Sequence, residues 1–272
     1  MQAAIQTLTS LTNKLQPDEL EDCIESVRQA VLIAGVEDHD LPGFEQRGGL
    51  NGVLNIYTAG LKRTSAEDAA YGISEMVRRT SLDSLKPIIM HLFGLLIRAL
   101  ADRHPPVAQV ALLGTLVTLL RKAPLLSKPV LSQLQRTTLK ALADPNSAVR
   151  NEGAVALTAW IPMQPRVDPF INDLIKAANS TADTGPRSAF IKALCEVLSN
   201  SDKPVGDPQK AAMGALIHQV LRVGEGIESH FFAHVRTNDP DHGASNVVAF
   251  EDTTHRGGNF HDSTRSSGSC VV

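Results

Sequence analysis

Apolar residues recur every three or four positions through most of this chain, and no stretch alternates long enough to predict a strand. Ile88, Leu92, Leu95, Leu96, Ala99 and Leu100 share one helical face; Val130, Leu131, Leu134, Ala141 and Leu142 repeat it. The two faces belong to near copies of one segment. KPIIMHLFGLLIRALAD (86–102) and KPVLSQLQRTTLKALAD (128–144) start 42 residues apart. Proline is tolerated in the first turn of a helix, so Pro87 and Pro129 read as helix starts. Asp102 and Asp144 read as stops whose carboxylates cap the next helix. That next helix shows a face of Leu112, Leu113, Leu116, Leu119 and Leu120. Its counterpart is Ala154, Val155, Leu157 and Trp160, with Val107 aligned to Val149 at the same offset and Pro145-Asn146 as the turn.

Weaker copies flank these. Val167-Asp168-Pro169 opens a helix whose partner is SAFIKALCEVL (188–198). Asp207-Pro208 opens another, closed by Gly224. Upstream, Ser65-Ala66-Glu67-Asp68 resembles a capping box before Ala69–Val77, and Pro17–Ala34 reads as an acidic amphipathic helix ending at Gly35. A period near 40 residues with two helices per unit predicts an all-α, HEAT/armadillo-like helical-repeat solenoid. One helix pair cannot bury its apolar face alone, so units must stack. About five units fit residues 1–225, with a Gly- and acid-rich loop at about 37–51. Residues 226–272 are rich in Ser, Thr, Asn, Asp, Gly and His without apolar period, and are expected to be a disordered tail. No capping repeat follows Gly224, so a piece of a longer array, or an aberrant end, is expected.

Composition agrees. Apolar residues are 43% of the 272, aromatics only 4%, a mixture suited to packed helices. Cys23, Cys195 and Cys270 are far apart without metal spacing, which points to a reducing compartment such as the cytoplasm. No signal peptide, membrane span or prenylation box is read.

Catalytic patterns are missing: no phosphate-cradling glycine loop, no Gly-x-Ser-x-Gly, no His-Glu-x-x-His. Glu19, Glu21, Asp22 and Glu25 complement the dipole at a helix start rather than forming an acid–base pair. His230 and His234 could share a metal by spacing but read as a polar tail, and Arg256-Gly257-Gly258 is a single RGG. The expectation is a non-enzyme with no cofactor, no metal and no small-molecule substrate.

Charge changes the picture more. Residues 86–150 hold nine basic and two acidic residues, while residues 1–85 hold seven and thirteen. Such a segment is either a solvated face or a stripe for phosphates or an acidic protein. Arg98 and Lys140 align at the 42-residue offset and are expected to stack on adjacent units. With Arg136 and Arg150 they are the candidate partner-binding residues.

The ordered series of LKP, LADR, KPVLSQLQ, ALADPNS and RVDP, with LPGFEQRGGLN before it, resembles the large HEAT-repeat translational activators of general amino-acid control. The resemblance covers roughly residues 20–200 and is strongest over 81–175. It implies a C-terminal-side segment of a much longer protein that activates the starvation-responsive kinase of initiation factor two. It further implies binding to the RWD domain of that kinase and to ribosomes, with Arg150 at the conventional basic position of a HEAT second helix. Ala108 and Gln109 depart from that pattern in the preceding unit. A generic helical-repeat adaptor, or direct RNA or ribosome contact through residues 86–150, are the other readings.

Overall fold

The computed structural model describes residues 10–12, 14–34, 49–63 and 66–223, all within the first of the chain's two units, Met1–Val235. The expected tail at 226–272, with His230, His234 and the RGG, lies outside the described residues, as do Gly35, Ser65 and Gly224.

Every described element is helical: α1 (Pro17–Ala34), α2 (Gly49–Leu61), α3 (Ala66–Arg78), the single turn α4 (Leu82–Leu85), α5 (Ile89–Ala101), α6 (Pro106–Lys122), α7 (Leu131–Leu142), α8 (Ser147–Trp160), α9 (Asp168–Ser180), α10 (Thr184–Asn200) and α11 (Asp207–Val223). Helices α2/α3, α5/α6, α7/α8 and α9/α10 pair as four units. The second helices stack in one layer, α1 on α3, α3 on α6, α6 on α8 and α8 on α10. The first helices form the other layer, with α5 on α7 and α9 on α11. This is the expected all-α helical-repeat array.

One apolar core runs between the layers from Leu20 to Leu216. Low aromatic content makes the few rings decisive. Trp160 is fully buried, donates Nε1–H to Thr138 Oγ1 at 2.9 Å, and meets the Phe170 ring edge-on with centroids 5.1 Å apart. Gly153 exists for packing: a Cβ there would lie 2.8 Å from the Ala141 Cβ, so α7 and α8 can approach this closely only without a side chain.

Several boundaries differ from expectation. Pro87 and Pro129 do not open the long helices. Pro87 follows α4, Pro129 lies in a 3₁₀ segment (Pro124–Val130), and the α-helices begin two residues after each proline. Asp102 ends α5 in extended backbone but does not cap α6, which opens on Pro105-Pro106 without a side-chain cap. Asp144 Oδ1 accepts the Asn146 N–H at 2.8 Å, and Asn146 is the cap, accepting from Ala148 and Val149. The loop placed at 37–51 ends earlier, because Gly49, Leu50 and Asn51 belong to α2 and Leu50 is buried; residues 35–48 lie outside the described residues.

The 42-residue offset holds for the first helices only. The link from Asp144 to Asn146 is one residue shorter than that from Asp102 to Pro105, so the second helices match at 41. Ala108, Leu112, Leu116 and Leu119 then align with Val149, Gly153, Leu157 and Trp160, all buried. Val107 falls out of register and is 59% exposed, and Val155 is likewise exposed rather than part of the core face.

Candidate partner-binding surface

An array of this kind has two edges. At one, each unit's first helix turns into its second; at the other, each unit passes to the next. The basic residues of 86–150 are divided between them.

Lys140 and Arg150 lie at the turn edge, where both are bound to backbone. Lys140 Nζ reaches back one unit and donates to the carbonyls of Leu100 (2.8 Å) and Ala101 (3.0 Å), the C-terminus of α5. Unpaired carbonyls at a helix end attract a cation, so this is a cap supplied by the next unit. Arg150 Nη1 donates to the carbonyls of Asp144 (2.9 Å) and Pro145 (2.7 Å) in the turn of its own unit. Its guanidinium also lies against Gly185 at the start of α10: a Cβ on Gly185 would come within 3.0 Å of Nη2. Gln109 stands at Arg150's place one unit earlier and does a neutral version of the same work, its Nε2 donating to the His104 carbonyl at 3.1 Å. The departure noted in sequence is thus a substitution of donor, not a loss of the contact.

Arg98, in the last turn of α5, and Arg136, on α7, are exposed, and their side chains make no hydrogen bond or ion pair among the described residues. The four candidates therefore split into two that hold the array and two that face solvent. Leu100, Gln109, Lys140, Asp144 and Val149 line a cleft between units with room for about one water molecule.

The unit-to-unit edge carries basic residues that the sequence reading did not single out as a group. Lys86, Lys128, Arg166 and Lys203 are exposed there, one at each passage, and each adjoins an exposed proline. The edge is held by contacts between units. Lys122 Nζ donates to the Arg78 carbonyl at 3.1 Å and the Gly206 N–H to Asp168 Oδ1 at 2.9 Å, while Ser127 Oγ, which donates to the Pro124 carbonyl at 2.6 Å, lies 3.1 Å from the Met163 sulfur. The signal was present in the repeated Lys-Pro, but it reads as a helix start unless the turn geometry is known.

Burial shifts further titratable groups. Glu152, half-buried between α6 and α8, has its carboxyl pushed above the usual range by burial, with Arg121 partly offsetting this. Burial pushes the Cys195 thiol up to about 11, so it is not an activated nucleophile. Among the described residues, no three His, Cys, Asp or Glu side chains come together as a metal set, and no single helix is long and apolar enough to cross a membrane.

Comparison with known proteins gives a consistent set of relatives. The chain is 32% identical over 218 residues to the eIF-2-alpha kinase activator GCN1 of Saccharomyces cerevisiae. It is 33% identical over 220 residues to the stalled ribosome sensor GCN1 of Mus musculus, and 30% identical over 227 residues to protein ILITYHIA of Arabidopsis thaliana. Each match covers 79% of this chain and 8% of the relative. No family model and no solved structure matches.

Proposed function

The chain is a GCN1-like segment, and on that premise we propose that it is a non-enzymatic scaffold of translational control. In this reading the array binds the RWD domain of the eIF-2-alpha kinase and couples it to ribosomes during amino-acid starvation, in the cytoplasm. The observation that carries it is the match at about a third identity to relatives named as kinase activator and stalled ribosome sensor. Since the chain spans about 8% of their length, the activity of the whole relative enters here as part of the proposal. The fold suits such a role. A stacked array presents long, rigid, repeated edges, which fit macromolecular partners better than small ligands.

The test uses the full chain, immobilised, with a purified kinase RWD domain and purified ribosomes as separate analytes. Saturable binding of both is expected. An array that is folded by circular dichroism yet binds neither would overturn the reading.

A further inference from the structure

We propose that the unit-to-unit edge is a second, distinct binding surface, which takes the phosphate backbone of helical RNA. Lys86, Lys128, Arg166 and Lys203 recur along it once per unit, all exposed. Residues 78–88, 121–130 and 161–167 together hold seven basic residues and one acidic residue, Asp83, whereas the fourth passage, 201–207, holds Lys203 with the acidic Asp202 and Asp207, so the basic row is densest over the first three passages. Asp83 pairs with Lys86 at 2.6 Å, but both side chains are largely exposed and such a pair gives way readily to a phosphate.

Contacts between units keep successive passages side by side: Lys122 binds the Arg78 carbonyl, Ser127 Oγ lies against the Met163 sulfur, and the Gly206 N–H binds Asp168.

The chemistry of the edge selects its partner. A protein interface is built around buried aromatic or aliphatic anchors. Here Leu125 (72% exposed) and Leu82 (37%) are the large exposed apolar side chains of residues 78–88, 121–130 and 161–167, and scattered single residues of this kind are ordinary surface. Single-stranded nucleic acid wants aromatic platforms for its bases. Among the described aromatic residues only Tyr71 is exposed, and it lies on α3 away from this edge. Cations without stacking groups fit the backbone of a duplex, read by shape and phosphate rather than by sequence. The choice of RNA among polyphosphates rests on the ribosome half of the function proposed above. The location of the surface does not.

The test compares the full chain, the triple variant Lys86→Glu/Lys128→Glu/Arg166→Glu, and the control Arg98→Glu/Arg136→Glu. Each is titrated with a 24-base-pair RNA duplex at two salt concentrations, with ribosomes and with the RWD domain. The triple variant is expected to bind duplex at least about 30-fold more weakly at low salt, with the slope of log affinity against log salt flattened by about 3, as loss of three phosphate contacts requires. Its RWD binding is expected to be unchanged, and the control to stay within about threefold of wild type for duplex. Equal losses in triple and control would show a bulk charge effect and overturn the proposal. So would wild-type duplex binding by the triple variant, or loss of RWD rather than RNA binding. If wild type bound the RWD domain but neither duplex nor ribosomes, this surface and the ribosome half of the reading would fall while the kinase half survived. Duplex binding without RWD binding would leave the edge and remove the kinase reading.

Discussion

Lys140 caps a helix it does not belong to: its Nζ donates to the carbonyl of Leu100, 2.8 Å away, at the C-terminus of α5. A surface lysine in the sequence is therefore a joint between units. Lys140→Ala is expected to cost about 1 kcal/mol of stability, in line with a partly exposed charged hydrogen bond, and Lys140→Arg to keep most of it. Urea unfolding of the two variants checks this. Unchanged midpoints together with lower partner affinity would return Lys140 to the binding surface.

Arg150 is expected to behave the same way. Arg150→Ala leaves the Asp144 and Pro145 carbonyls without their donor and opens space against Gly185, for about 1–3 kcal/mol. RWD affinity, measured where the variant is still folded, is expected to stay within about twofold. A large affinity loss without destabilisation would make Arg150 a contact residue after all.

Replacing Asn146 by Ala removes the side chain that caps α8 and is expected to cost about 1–2 kcal/mol. Asp144→Ala loses one bond to the cap's own N–H and is expected to cost less, about 0.5–1 kcal/mol. The reverse order in chemical denaturation would contradict the assignment.

Gly153→Ala is expected to destabilise by about 1–3 kcal/mol although alanine is the better helix former, because the new methyl meets the rigid Ala141 Cβ. Trp160, the only tryptophan, reports on this junction. Its fluorescence should shift to the red at lower urea in the variant than in wild type.

Glu152→Gln should be more stable than wild type at neutral pH. Burial raises the folded-state carboxyl above its unfolded value, so no penalty exists below the unfolded value, near pH 4, and it grows as pH rises through the folded one. The advantage of the variant should therefore vanish at about pH 4. Thermal melts at pH 4 and pH 7 measure it.

Periodicity made the array legible, and α1 falls where the pattern put it, at Pro17–Ala34. α2 was missed because its sequence, GLNGVLNIYTAGL, carries three glycines and two asparagines, and local propensity argues for a loop. Burial of Leu50, Leu54 and Tyr57 against α3 outweighs that. The one-residue change of offset was hidden because Val107 and Val149 look equivalent until burial separates them. For the surface, charge was legible but its use was not. Lys140 and Arg98 align in sequence, yet one ends on carbonyls and the other in solvent. What decides is whether a C-terminal helix end lies within reach, a tertiary fact.

Three of the joints between units point backwards along the chain. Lys140 closes on Leu100, Lys122 on Arg78 and Thr115 on the Ala70 carbonyl, spans of 40, 44 and 45 residues. During synthesis a unit thus receives its lock only when the next has been made. At about 5–20 residues per second that is a delay of about 2–9 s. For that interval the newest unit packs on the unit before it but lacks the contacts that the next one supplies, so the growing array always carries one unfinished rung at its leading end.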